Sequence, residues 1–188
     1  MITVLVTGPI GGGKSTACRY LESMDYPVYD CDSRCKRLYA EVPGLKQRIE
    51  KELGIAFEEL GRIFEDDDLR MKLEALVYPL LVEDLKAWKS ELDSPLAFVE
   101  SAIALDKPCL DGLYDRVLLI TARKELRLAR NSNAAARGHL QNYDLSRVDG
   151  VIYNDSTKSY LYKKINQFID VCLPDLCPTG MCVKDNQS

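Results

Sequence analysis

The stretch Ile2-Thr3-Val4-Leu5-Val6-Thr7-Gly8-Pro9-Ile10-Gly11-Gly12-Gly13-Lys14-Ser15-Thr16 begins as an apolar run and passes directly into a glycine-rich loop that ends in lysine and hydroxyl residues. A continuous apolar run bounded by glycine reads as a strand buried on both faces. Residues 8–15 match the spacing of a phosphate-binding loop. The amphipathic pattern over Lys14–Met24 predicts a helix immediately afterwards. Strand, loop and helix in that order bring backbone N–H groups and the positive helix end to one place, where an anion is stabilised. In this reading Gly8, Gly11, Gly12 and Gly13 permit the tight path around the phosphates. Lys14 neutralises the outer phosphates and Ser15 ligates Mg²⁺ beside them. Ile10 and Thr16 belong to the same nucleotide-binding segment, and the cofactors expected are ATP and Mg²⁺. A connecting turn without function is the alternative, but it leaves Lys14 and Ser15 unexplained.

Outward from this unit, further strand-type runs occur at Pro27–Tyr29, Leu96–Glu100 and Val117–Thr121, with a weaker one at Val151–Tyr153. Helical patterns lie between them. That alternation predicts an α/β class, a parallel five-stranded sheet flanked by helices. Residues 33–94 read as an almost wholly helical insertion. Leu69, Leu73, Leu76, Val77 and Leu80 share one apolar face, and Pro79 either starts a new helix or kinks the old one. Such a block beside a sheet can close over one side of a cleft. Residues 122–142 hold Arg123, Lys124, Arg127, Arg130 and Arg137, with Gly138 near the end. A solvated helix face and a short mobile lid both fit that pattern. The expected organisation is one domain over 1–172 and a flexible tail over 173–188.

With 188 residues, one domain is the natural size. A formal charge of −4 argues against a dedicated nucleic-acid binder. Met1–Thr7 is too short to span a bilayer and has no charged leader or cleavage-type site, so a cytoplasmic protein without membrane attachment is expected. Oligomeric state is open between a monomer and a small homo-oligomer. Cys172, Cys177 and Cys182 recur at equal intervals, but no fourth ligand is near them, so loosely ordered reduced thiols are expected there rather than a metal site. Cys18, Cys31, Cys35 and Cys109 read as small core hydrophobes.

Three acids stand where strands end. Asp30 and Asp32 follow the second strand, and in an extended chain their carboxylates point the same way, toward the edge where α/β proteins bind ligands. One of them can accept the proton of an attacking hydroxyl. The alternative is that Asp32 or Ser33 caps a helix beginning near Arg34. Glu100 ends the third strand at the same edge, suited to an indirect Mg²⁺ contact or a substrate hydrogen bond, or else to capping the next turn. His139, the only histidine, receives no role.

Together these residues resemble the dephospho-coenzyme A kinase family. The resemblance is carried by Val6–Thr16, by Val28-Tyr29-Asp30-Cys31-Asp32, and by Lys72-Leu73-Glu74-Ala75-Leu76-Val77-Tyr78-Pro79. It continues through Phe98-Val99-Glu100-Ser101, Arg116–Ile120, Gln141 and Val148–Asn154, over about residues 2–170. It implies a nucleotide-kinase-like P-loop fold and ATP-dependent phosphorylation of the ribose 3′-hydroxyl of dephospho-coenzyme A. It also implies Asp32 as general base, Asp30, Glu100 and Tyr78 as substrate contacts, and Asn154 at the adenine end of the ATP site. Arg127 and Arg130 are the implied lid contacts to phosphate. Family members carry histidine where Tyr78 stands, a common loop glycine is Pro9 here, and the segments Leu53–Glu65 and Arg127–Gln141 are short. A kinase for another small hydroxyl or nucleoside-like substrate, or a nucleotide-binding relative without catalysis, therefore stays open.

Overall fold

The computed structural model describes residues 1–132, 134 and 143–173. The sequence readings on Arg137, Gly138, His139, Gln141, Cys177 and Cys182 lie outside the described residues. So do most of the distal half of the expected lid and the tail from 174 onward.

Five strands form one parallel sheet: β1 (Ile2–Thr7), β2 (Val28–Asp30), β3 (Leu96–Glu100), β4 (Arg116–Thr121) and β5 (Gly150–Tyr153). Their order across the sheet is β2-β3-β1-β4-β5. The described helices are α1 (Lys14–Glu22), α2 (Cys31–Glu41), α3 (Leu45–Leu53), α4 (Asp67–Ser90), α5 (Lys124–Arg130) and α6 (Lys158–Cys172), with short 3₁₀ turns between some of them. Side chains alternate across a strand, and the central strand divides accordingly. Val4 and Val6 pack with Ala17 and Leu21 of α1 and with Leu161 and Ile165 of α6. Leu5 faces the other layer, with Leu38 of α2, Ile49 of α3 and Leu73, Val77, Leu81 and Leu85 of α4.

The chain leaves β1 toward β2 on one side and later supplies β4 and β5 on the other. β1 is thus the point where the winding reverses, and the crevice beyond its carboxyl end is where α/β sheets take ligands. The residues that follow β1, β2 and β3 share that edge. In register, Asp30 pairs with Glu100, and Glu100 pairs with Val6.

Three expectations change, and one open alternative narrows. Asp30 is the cap of α2: its carboxylate accepts from Ser33 N at 3.0 Å and from Ser33 Oγ at 2.6 Å. The helix therefore starts at Cys31, and Asp32 lies in its first turn rather than in extended chain; neither Asp32 nor Ser33 is the cap. Pro79 starts no new helix, because the single helix α4 runs through it. It stands on the exposed face, where water can bond the carbonyl left without its N–H partner. Cys172 is buried at the end of α6 and packs with the core, not with a loose tail, whereas Cys109 is exposed rather than in the core. Among the described residues no helix is long and apolar enough to cross a membrane, and no cluster of metal-ligating side chains is found.

Candidate functional site

The phosphate-binding loop lies against the carboxyl end of β4. At Gly8, with φ of 140°, a Cβ would sit 2.0 Å from the Ile120 carbonyl oxygen, so only glycine lets the loop turn this close to the sheet. The same holds at Gly13, where φ is 112° and a Cβ would meet the Asn154 side-chain nitrogen at 2.2 Å. Gly13 stands at the N-cap of α1 without a side-chain cap, which leaves the first N–H groups of the helix to other acceptors.

Lys14 reaches back over the loop, its Nζ donating to the Gly8 carbonyl at 2.8 Å and, more weakly, to that of Pro9 at 3.5 Å. Burial lowers the pKa of its ammonium, while the carboxylates of Glu100 and Asp32 oppose that effect. The two acids lie at the same edge of the sheet, Glu100 at the end of β3 and Asp32 in the first turn of α2. Ser15 Oγ donates to Glu100 Oε1 at 3.1 Å. Burial also pushes the Glu100 carboxyl above its ordinary value, with Lys14 as the largest opposing influence. A hydroxyl and a carboxylate side by side at the mouth of a phosphate loop form an oxygen-donor pair of the type that Mg²⁺ takes, directly or through water. Thr16 follows in the first turn of α1, and Ile10 lies in the turn of the loop.

Asp32 lies on the wall of a cavity of about 460 Å³ that runs between α2 and α4. Cys35, Tyr39, Leu73, Val77 and Tyr78 form much of its lining, with Arg70, Glu74, Asp106 and Lys107 as further charged groups. Lys107 is held by Glu74 Oε2 at 2.7 Å and stands 5.8 Å from the centre of the Tyr78 ring. The Tyr78 hydroxyl donates to Glu74 Oε1 at 3.4 Å, and burial raises its pKa. Arg70 bonds Asp67 at 2.8 Å. Arg70 and Lys107 were not picked out from the sequence. Arg70, Glu74 and Tyr78 recur at four-residue intervals on α4, a polar stripe beside the apolar face; Lys107 sits in a loop whose pattern holds no such signal.

On the opposite side of the loop, Arg130 Nη2 donates to the Asn154 carbonyl at 2.9 Å and Nη1 to the Gly11 carbonyl at 3.4 Å. The Asn154 side chain is buried and its Nδ2 donates to the Gly12 carbonyl at 2.9 Å. Arg127 presses its backbone carbonyl toward Gly11, and its Nε is shielded from solvent without a hydrogen-bond partner. The structure therefore gathers the loop, Lys14, Ser15, Asp32 and Glu100 at one edge. Asp30 stands beside them as a helix cap, Tyr78 lines the cavity, and Arg127, Arg130 and Asn154 meet the loop at Gly11 to Gly13 from α5 and the end of β5.

The model of the dephospho-CoA kinase family matches residues 2–149. A dephospho-CoA kinase of Porphyromonas gingivalis is 34% identical over 148 residues, which is 72% of this chain and 73% of that protein. One from Coxiella burnetii is 26% identical over 188 residues, covering 89% of this chain and 94% of its own. Among solved structures, a Thermus thermophilus protein superposes with a TM-score of 0.76 at 27% identity, over 94% of this chain and 98% of its own. A shikimate kinase from Acinetobacter baumannii shares the fold with a TM-score of 0.53 at 14% identity, over 95% and 96%.

Proposed function

Because the chain belongs to the dephospho-CoA kinase family, we propose that it transfers the γ-phosphoryl group of ATP to the ribose 3′-hydroxyl of dephospho-coenzyme A, giving coenzyme A and ADP. The observation that carries this reading is the position of Asp32, on the wall of a 460 Å³ cavity and in the first turn of the helix that leaves β2, at the sheet edge where the phosphate loop leaves β1. A hydroxyl in that cavity and a phosphate on the loop would meet between the two.

The residues present fit both ATP and Mg²⁺. At Gly8, Gly11 and Gly12 a Cβ would strike backbone, so only glycine allows this tight path; the start of α1 has no side-chain cap, which leaves it open to phosphate, and Ser15 with Glu100 offers adjacent oxygen donors. When bound, Mg²⁺ would supply further positive charge beside the phosphates. Phosphoryl transfer depends mainly on positioning and on neutralising charge. Lys14 exchanges its bonds to the Gly8 and Pro9 carbonyls for phosphate oxygens and holds its charge against them. Asp32 accepts the proton as the 3′-oxygen bonds the γ-phosphorus and the bond to the ADP oxygen breaks. Tyr78, Arg70 and Lys107 line the space left for the rest of the substrate. Arg127 and Arg130, on α5, lie beside the loop at Gly11 and are the proposed cations for the phosphates. A cytoplasmic setting suits a reaction that uses ATP.

The test is turnover of ATP by the purified protein with Mg²⁺, with and without dephospho-coenzyme A, reading coenzyme A by mass. Formation of coenzyme A is expected. ADP formation with another hydroxyl substrate alone, or ATP binding without product, would overturn the assignment.

A further inference from the structure

One buried side chain from the end of β5 bonds the P-loop backbone. Asn154 follows β5 and is only 7% exposed. Its own N–H is spent on the Thr121 carbonyl at 2.7 Å, which pins the residue to the end of β4. Its Nδ2 then donates to the Gly12 carbonyl at 2.9 Å. A carbonyl can only accept, so the nitrogen must be the end that faces it. The same amide fills the space beside Gly13 where any Cβ would collide, at 2.2 Å. The Asn154 carbonyl in turn accepts from Arg130, which also reaches the Gly11 carbonyl. Three consecutive loop residues, Gly11 to Gly13, therefore meet Asn154 or its arginine.

We infer that Asn154 is a positioning residue of the phosphate loop: its buried amide holds the Gly12 carbonyl, and with it the peptide plane whose N–H belongs to Gly13, so that this N–H stays turned toward the phosphates. A peptide plane cannot present its carbonyl and its N–H in the same direction. Holding one outward therefore sets the next N–H inward, without the entropic cost of ordering a glycine run when the ligand arrives. Each glycine has unusual freedom, so a loop of this composition needs an external clamp to be preorganised. This gives Asn154 work on the phosphates through the loop, in place of a contact to adenine.

The inference rests on the proposed function only in taking ATP as the ligand of the loop, and binding alone tests it. Asn154→Ala and Asn154→Asp are compared with wild type by calorimetry, using ATP with Mg²⁺ and, separately, inorganic tripolyphosphate. Asn154→Asp keeps the volume but sets an acceptor against the Gly12 carbonyl, so it is a second route if the alanine variant does not fold. A melting curve without ligand identifies folded protein. The expected result is a loss of about tenfold or more for both ligands alike, equivalent to about 1.4 kcal/mol. Turnover should show a raised KM for ATP and an unchanged KM for the hydroxyl substrate. Tripolyphosphate affinity within twofold of wild type in a folded variant overturns the inference, and if ATP alone weakens, Asn154 contacts the nucleoside instead. Wild-type protein that binds neither ligand would count against the proposed function, which separates the two failures.

Discussion

At the scale of single residues, Asp32 and Glu100 are both acids at one edge, but their surroundings assign them different work. Asp32 is exposed on the cavity wall, where an incoming hydroxyl can reach it. Asp32→Asn keeps the shape and removes the proton acceptor, so turnover should fall by about 10²–10⁴-fold, the usual worth of general base catalysis. ATP affinity, measured by calorimetry, should stay within about twofold, since the affinity arises at the loop. Near-normal turnover would remove Asp32 from the mechanism. Glu100 sits deeper, and burial raises its pKa above the ordinary 4.5 despite the nearby Lys14. For an acid raised in the folded state, the protonated form is the one the fold favours, and stability is lost as pH rises through the interval between the two values. Glu100→Gln imitates the protonated acid. It should therefore melt above wild type at neutral pH, with the gap closing as pH falls toward 4.5, where both side chains become neutral. It should also lose turnover, because the carboxylate beside Ser15 is gone. Thermal denaturation across that pH range decides it, and a gap that widens on acidification contradicts the argument. A gain in stability coupled to a loss in activity is the expected sign of a residue kept for chemistry.

Among the elements, α2 carries the proposed base and its start determines where that base points. The strands were legible from sequence because each is an apolar run with clear breaks, and the observed bounds differ by a residue or so from those expected. The start of α2 was not. Asp30, Asp32 and Ser33 are all cap-type residues, and composition does not choose among them. What chose was the shortness of β2, three residues, which ends at Asp30 and leaves that side chain free to turn onto Ser33. The cavity was half legible. Tyr78 and Glu74 stood within a recognisable segment of α4, but Lys107 reaches them from a loop after β3, and only the fold brings the two together. Removing the cap tests how far α2 governs the site. Asp30→Ala should cost about 1 kcal/mol of stability. Because Asp32 lies in the first turn of α2, kcat should fall as well, while KM for ATP stays near its wild-type value. Denaturant unfolding together with steady-state kinetics checks both; a loss of stability with kcat unchanged would show that Asp32 is positioned by something other than the cap.

For the molecule as a whole, local patterns announced five strands and parallel pairing but not their order. Neighbours in a parallel sheet are set by which crossovers pack, and here β3, not β2, lies beside β1. That order is what brings Glu100 next to the strand feeding the phosphate loop, so the site depends on a feature that no short segment displays. The loop passes close against Ile120 of β4 and is bonded to Asn154 at the end of β5 and to Arg130 of α5. A ligand bound there engages a loop tied to several elements at once, and it should stabilise the whole domain rather than the loop alone. At one hundred times its Kd, ATP with Mg²⁺ should add about 2.7 kcal/mol. For a chain of this size each kcal/mol moves the midpoint by about 2–4 °C, so the expected rise is about 5–11 °C in a single cooperative transition. Lys14→Ala, tested at the same ATP concentration, should show only a small part of that rise, because the charge that meets the outer phosphates is missing. A wild-type midpoint that ATP leaves in place would separate the loop from nucleotide binding. A rise confined to part of a biphasic melt would show instead that the two helical layers on the faces of the sheet unfold independently, with the nucleotide holding only one of them.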